Sequence, residues 1–440
     1  MTSDYADYET CLGSKLNNSS CQPSKDDVVY LTGATGFVGG MILKLFEADD
    51  SISRVYTPVR DKRGKPGEER FIDQGFHRFS KTAFISDEES IPSDVTLVIL
   101  CAYDVRFHNP VDKIMKTSVT PIVKLLDQCQ HAPNVRGICL VSTAYVQNPL
   151  PYKRPNGNRI PFVLREHTSA TKIYNDMMNG TLSWEQVKEQ YSQELSDHHK
   201  TNCYAFSKHI LEHLVHEQYS SLPICVVRPS IVAPSRDGTY GHGIRAGFGL
   251  FMELARSPIL RFPRNKGKLD LVFVDDVAYD IMRGASELAK PATLSESGEY
   301  FHPIYSSTSK SELPPLYLLG ITAPKVKRFE IRTKTCRNIL RKVERSIVTM
   351  ALGKKKSRFV NSIYTNYDPA MSNIWDFEAN HGEIDEVFLS EYFARFYETK
   401  QVEQPFYQRK QSVQSTRVNR RWSFSSTASS PSTCEMTASS

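Results

Sequence analysis

Short apolar runs rich in β-branched residues recur along the first two thirds of the chain. They are Val28–Thr32, Arg54–Val59, Val95–Cys101, Gly137–Ser142 and Ile224–Arg228, with a weaker candidate at Leu269–Val274. Runs of this length, apolar throughout, predict strands buried on both faces. Between them lie stretches of helical character, notably Met41–Phe46 and Tyr204–Gln218. Strand alternating with helix predicts an α/β fold in which a doubly wound parallel sheet carries helices on both sides. The alternation breaks over residues 148–201, which reads as an insertion into one large unit spanning 27–310. Within it, Ser183–Leu195 is predicted helical, with Ser183 as N-cap and Glu185 and Gln186 in the first turn. Composition changes from about Leu313, and residues 311–405 predict a smaller, mainly helical domain. The polar residues 1–26 and the Ser/Thr-rich tail 406–440 predict disorder.

At 440 residues and 40% hydrophobic content the chain can bury a large core. The net charge of +6 is too small to point to nucleic acid, but it is unevenly placed. Between Ala323 and Arg358 thirteen Lys and Arg face two Glu, a local +11 that leaves −5 for the rest. Ile339, Val343, Ile347 and Met350 recur there at helical spacing, with Arg337, Arg341, Lys342 and Arg345 off that stripe and Lys354–Lys356 beyond Gly353. The stripe fits either packing on the main unit, with a solvated basic face, or peripheral contact with an anionic membrane. No run of about 18 apolar residues is present, so no transmembrane helix is expected. The acidic, polar start argues against a signal peptide. The nine Cys form no Cys-x-x-Cys pair, and Cys101, Cys139 and Cys225 lie in apolar runs. Reduced core thiols and a cytosol-facing compartment are expected.

The first apolar run opens into Thr32-Gly33-Ala34-Thr35-Gly36-Phe37-Val38-Gly39, followed by helix-compatible residues. Strand, glycine turn and helix in that order predict a dinucleotide site in a Rossmann-like fold. Gly33 would let the chain turn, Gly36 would let backbone approach a pyrophosphate, and Gly39 would let helix pack tightly on strand. Thr35, Phe37 and Val38 complete the phosphate loop, whose first helical N–H groups favour an anion. The second run ends at Arg60, where a ribose-reading carboxylate would be expected in an NAD site. Arg60, with Lys62 or Arg63, favours the 2′-phosphate of NADPH; Asp61 comes one residue late for the NAD alternative.

Tyr204 and Lys208 are one helical turn apart on one face, directly before the run Ile224–Arg228. A phenol titrates near 10, and a neighbouring cation lowers that value toward what a general acid needs. The run Gly137–Ser142 leads into Thr143, and a hydroxyl at the C-terminal end of a strand in such a sheet faces the ligand crevice. Thr143, or Ser142 beside it, is therefore the candidate partner of Tyr204 at a substrate carbonyl.

These motifs resemble those of the extended short-chain dehydrogenases, and more narrowly the fatty acyl-CoA reductases with a male-sterility-type C-terminal domain. The resemblance rests on TGATGFVG at Thr32–Gly39, VRF at Val105–Phe107, VSTAY at Val141–Tyr145, YAFSK at Tyr204–Lys208 and VVRPSIV at Val226–Val232. Weaker support comes from DLVFVDDV at Asp270–Val277, YFHPIYSSTS at Tyr300–Ser309 and Trp375-Asp376-Phe377-Glu378. The separation of 61 positions from Thr143 to Tyr204 also suits the acyl-reducing branch. The resemblance implies an NADP-binding reductase domain at 27–310 with a substrate-binding insertion. It further implies reduction of a long-chain acyl-CoA to alcohol via the aldehyde, in lipid metabolism at the cytosolic face of the endoplasmic reticulum or peroxisome. In that scheme Tyr204 donates the proton, Thr143 holds the oxygen, Lys208 binds the nicotinamide ribose, and Pro229, Ser230 and Ile231 offer backbone to the carboxamide. The chain departs from the family pattern at Tyr103 and Asp104, at Ser118 in place of an Asn, and at a shortened 70–94 segment that leaves Asp87 to meet adenine. Two alternatives stay open: a reductase of sterols or other carbonyls, and a cofactor-binding pseudoenzyme.

Overall fold

The β-branched runs become strands of one sheet because covering both of its faces removes most of their side chains from water. The computed structural model describes residues 26–61, 64, 66–72, 80–106, 109–146, 169–190, 202–241, 248, 259–263, 269–294, 300–309 and 329–333, with parts of 380–392. The sheet strands are β1 (Asp27–Thr32), β2 (Ile52–Pro58), β3 (Thr82–Ile85), β4 (Leu97–Leu100), β5 (Gly137–Val141), β6 (Ile224–Pro229) and β7 (Ile304–Ser307). Their order is β7-β6-β5-β4-β1-β2-β3, and every neighbouring pair is parallel. Strand order reverses between β1 and β4, so the C-terminal ends of these two strands flank the crevice where such folds bind ligands.

The helices are α1 (Phe37–Ala48), α2 (Gly67–Ile72), α3 (Val111–Ile114), α4 (Thr120–Cys129), α5 (Ala170–Met178), α6 (Trp184–Gln190), α7 (Cys203–Gln218) and α8 (Val274–Arg283). A π-turn, Met115–Val119, joins α3 to α4. Alternate strand residues feed two separate cores. Tyr30, Val98, Leu140 and Val226 pack with Met115, Leu126, Ile210 and Leu214 on one face. Val29, Ile99, Val141 and Val227 pack with Ile42, Phe46, Val277 and Ile281 on the other. At about 1.5–3 kcal/mol for each large apolar side chain buried, these layers hold the sheet between its helices.

The predicted α/β fold stands, with strand ends within a residue or two of expectation. Two strands of the seven-stranded sheet had no forecast. β3 is short and only half-buried, and β7 reads Ile-Tyr-Ser-Ser, its serines buried although polar. Leu271–Phe273 does form a strand within the Leu269–Val274 run, but it pairs with Ile231–Ala233 outside the main sheet. Ser183 caps α6 as a reciprocal box, accepting from the Gln186 N–H at 3.2 Å while the Gln186 side chain accepts from the Ser183 N–H at 2.8 Å.

Within the basic segment, Phe329–Thr333 is a strand paired in parallel with Ile259–Pro263. The rest of that segment, the Trp375 motif, most of the 148–201 insertion, and both predicted disordered ends lie outside the described residues. Residues near 380 return to the main unit: the Asn380 and His381 N–H groups both reach Thr308 O at 3.1 Å, and the His381 Nε2 lies 2.6 Å from Asp280. No helix among the described residues is long and apolar enough to cross a membrane.

Candidate active site

Thr32 ties the ends of β1 and β4 together. Its hydroxyl donates to Ile99 O at 3.2 Å and accepts from the N–H groups of Cys101 and Ala102 at 3.0 and 3.1 Å. Gly33 follows at φ +78°, where a Cβ would come within 2.8 Å of the Ala102 nitrogen. That position requires glycine. Gly36 donates to Gly33 O at 2.7 Å and precedes α1, whose first turn has neither a capping side chain nor an acidic residue. A Cβ on Gly39 would run into the Gly33 carbonyl, so the close packing that Gly39 permits is against the turn itself. The Phe37 ring stacks on Tyr240 at 5.6 Å, and the Tyr240 hydroxyl donates to Phe37 O at 2.9 Å, bracing the loop with its neighbours Thr35 and Val38. A tight glycine cradle under a helix N-terminus bare of side-chain caps fits a dinucleotide pyrophosphate.

Arg60 stands just past β2 with its side chain 66% exposed, its Nε 3.5 Å from Asp87 beyond β3. Asp61 instead accepts the Gly67 N–H at 2.9 Å, at the start of α2. Of the two candidates for the ribose end, the structure thus leaves Arg60 at the rim and engages Asp61 locally. At the far side, Pro229 has no N–H, and those of Ser230 and Ile231 reach Ser307 O at 3.1 Å and Asp270 O at 3.2 Å. Any carboxamide contact from this segment must therefore come from oxygen atoms. The Ser230 hydroxyl is buried and makes no hydrogen bond within the described fold.

α7 begins at Asn202, whose side chain accepts the Ala205 N–H at 2.8 Å. That start directs Tyr204 and Lys208 at the end of β5. Tyr204 and Thr143 are hydrogen-bonded through their side chains. Burial pushes the Tyr204 phenol well up, Cys101 adds to this, and the bond with Thr143 pulls it back. Lys208, 2% exposed, donates to Val141 O, and its ammonium lies 3.6 Å from the Tyr103 ring centroid. Burial brings Lys208 down to about 7 against the upward pull of Cys101 and Glu212. Ser142, the other candidate hydroxyl, turns away and donates to Glu212. The structure therefore gathers Tyr204, Thr143 and Lys208 and directs Ser142 elsewhere.

The departures from the family pattern have definite places. The Tyr103 hydroxyl donates to Ser207 Oγ at 2.8 Å, and its ring meets Tyr204 edge-on at 5.7 Å. Asp104 accepts from Arg106 at 2.7 and 2.5 Å and from Asn109 at 2.7 Å. Burial alone would raise its pKa, but these bonds together hold it below the usual carboxylate range. Ser118, in the π-turn, accepts the Asp104 N–H at 2.9 Å, so it anchors the loop after β4. Cys101 is not the deep core thiol its apolar run suggested. It is half-buried beside the glycine loop, where the Gly39 N–H bonds its sulfur, and burial raises it to about 11. Cys139 and Cys225 are buried and free.

Two residues near the site had no forecast, Glu212 and Arg228. Their signals lay in the sequence as a carboxylate four residues past Lys208 and an arginine inside an apolar strand.

A family model described as male sterility protein matches residues 31–86 and 85–281. Fatty acyl-CoA reductase 1 of Rattus norvegicus is 28% identical over 291 residues, covering 58% of this chain and 54% of that protein. Fatty acyl-CoA reductase 1 of Xenopus laevis is 26% identical over 291 residues with the same coverage. The chain spans about half the length of the curated relatives it matches. Among solved structures, the terminal R domain of the myxalamid biosynthetic pathway superposes with a TM-score of 0.54 at 16% identity, covering 84% of this chain and 90% of that one. The reductase domain of the aureusimine biosynthetic cluster gives 0.51 at 13% identity, with 86% and 92% covered. At these identities the structures speak for the fold alone.

Proposed function

The chain belongs to the male sterility protein family, and from that membership and the Tyr204–Thr143–Lys208 arrangement we propose that it is an NADPH-dependent reductase of long-chain fatty acyl-CoA thioesters. The observation that carries the reading is the hydrogen bond between Tyr204 and Thr143 at the C-terminal end of β5, where two hydroxyls converge beside a buried lysine. Curated relatives named as fatty acyl-CoA reductases support the substrate class.

When bound, NADPH would supply hydride to the thioester carbonyl carbon. The chain's part is to bind and polarise. The glycine loop would hold the pyrophosphate, Arg60 the 2′-phosphate, and Ser230 and its neighbours the carboxamide through oxygen atoms. Thr143 and Tyr204 donate hydrogen bonds to the carbonyl oxygen as negative charge develops there. Tyr204 then passes its proton to that oxygen, and the Lys208 ammonium stabilises the phenolate left behind. The Tyr204 phenolate takes the hydroxyl proton back as the CoA thiolate leaves, which gives aldehyde. In a second round, with a second equivalent of NADPH, Tyr204 is again the proton donor and the aldehyde becomes alcohol.

The test is single-turnover oxidation of NADPH on mixing with palmitoyl-CoA, decanal and a sterol ketone, with NADH run in parallel. Fast oxidation with palmitoyl-CoA and slow oxidation with the sterol ketone is expected. Turnover of the sterol ketone alone would replace the substrate class. A pseudoenzyme finds support in the Tyr103 ring over Lys208; cofactor binding with no oxidation of any kind would favour it.

A further inference from the structure

Three side chains of α7, one per helical turn, each engage a different residue at the end of β5. Tyr204 meets the Thr143 hydroxyl, Lys208 donates to the Val141 carbonyl, and Glu212 accepts from the Ser142 hydroxyl. Spacing by four residues puts all three on one face of the helix. The mechanism above uses the first two and leaves Glu212 without a role. Glu212 is gripped from its other side by Arg228 of β6, whose Nε lies 3.2 Å from Oε1 and whose terminal nitrogen lies 2.6 Å from Oε2. Both side chains are out of water, at 0% and 1% exposure. Burying such a pair is no gain in stability over well-packed apolar residues, because desolvation offsets the attraction. What an apolar pair could not do is hold the Ser142 hydroxyl and set a negative charge one turn from Lys208.

We propose that Glu212 is a positioning residue for the reduction: locked by Arg228, it fixes Ser142 so that Thr143 stands against Tyr204, and it sets a carboxylate one helical turn from Lys208. The proposal deepens the function given above and rests on it. Lys208 is faced by Cys101 and Tyr103 from the loop after β4 and by Glu212 from its own helix. Arg228 is faced by Glu212 and by His209 and His216, and His302, from before β7, stacks on His216. Burial holds His209 and His216 neutral, so among these groups Glu212 is the carboxylate that acts on Lys208.

Glu212→Gln keeps the side-chain size and an oxygen for Ser142 but carries no charge. In the full chain, the lysine ε-carbons are labelled with ¹³C and the Lys208 resonance, identified by its loss in Lys208→Met, is titrated alongside NADPH binding by fluorescence. Lys208 proton affinity is expected to fall about tenfold in Glu212→Gln, kcat to fall at least about tenfold, and the NADPH Kd to stay within about threefold. Adding Arg228→Met removes the guanidinium left unpaired and is expected to restore the melting temperature but neither the titration nor kcat. If the single variant does not fold, the same readings on the double variant decide. A wild-type Lys208 titration in Glu212→Gln, or recovery of titration and kcat in the double variant, would overturn the proposal and leave Glu212 as packing. The titration needs no substrate, so a wild-type protein that fails to reduce acyl-CoA would sink the proposed function on separate grounds.

Discussion

Tyr204 carries a phenol that burial has made a weaker acid. Burial decides the sign, opposite to the lowering expected from a neighbouring cation, and it leaves a donor whose proton stays in place until the carbonyl oxygen becomes alkoxide-like and so more basic than phenolate. Tyr204→Phe keeps the ring and its edge-on contact with Tyr103, so NADPH binding by fluorescence should be unchanged while kcat falls by about two or more orders of magnitude. Lys208 adds a pH dependence. Its folded value of about 7 lies below the 10.5 of an ordinary lysine, so the ammonium is present below about 7 and lost above it. The rate should therefore fall as pH rises through about 7. Stability runs the other way. Between about 7 and 10.5 the unfolded chain binds the proton that the folded one has released, so this group raises stability as pH climbs. Lys208→Met should lose activity, gain about 0.5–2 kcal/mol at neutral pH in urea unfolding, and lose that part of the pH dependence. At the other end of the cofactor, Arg60→Ala should weaken NADPH binding by about 1.5–3 kcal/mol and leave NADH unchanged, as isothermal titration would measure. Its exposed pair with Asp87 is worth little, so the melting temperature should hold.

At the scale of elements, the glycine turn and α7 do most of the placing. The turn is built so that Gly39 sits on the Gly33 carbonyl, and no side chain fits between them. Gly39→Ala should push α1 away from the turn, cost about 1–3 kcal/mol in denaturant unfolding, and raise the NADPH Kd more than tenfold. The glycine spacing and the Tyr204–Lys208 pair were legible in the sequence because each is a local pattern, set by one turn or one helical period. Ser142 and Thr143 were not separable there. The choice between them depends on which hydroxyl α7 reaches, and that is set by Glu212 and Arg228, residues far away along the chain. Asp61 was ambiguous for a similar reason, since only the start of α2 six residues later shows what its carboxylate accepts.

The whole molecule brings these elements to the C-terminal ends of the strands of a seven-stranded sheet, at the point where strand order reverses between the paired strands β1 and β4. Its charge is spread unequally, with +11 between Ala323 and Arg358. Phe329–Thr333 inside that segment is a strand paired with Ile259–Pro263, and the apolar stripe with Arg337, Arg341, Lys342 and Lys354–Lys356 lies beyond it in the sequence. If that stretch meets membranes, the protein should co-sediment with anionic vesicles at low salt, lose most of that binding near physiological salt, and ignore neutral vesicles. Charge-neutral replacements at Lys354–Lys356 should weaken binding and leave NADPH affinity alone. No binding to anionic vesicles at low salt would leave the basic stripe as a solvated helix face.

The α/β class, the parallel strands and the glycine turn were readable along the chain, because hydrophobic period and glycine spacing act over a few residues. The shared helix face of Tyr204 and Lys208 came the same way, since one turn of helix enforces it. The fold as a whole set β3 and β7 into the sheet, since Thr-Ala-Phe-Ile is too short an apolar run to read as a strand alone and β7 ends in two polar serines. It alone decided that Leu271–Phe273 leaves the main sheet, that Thr143 rather than Ser142 meets Tyr204, and that Tyr103 lies on Lys208. Each of these contacts joins residues distant in sequence, and no local pattern encodes which distant partner a buried polar group will find.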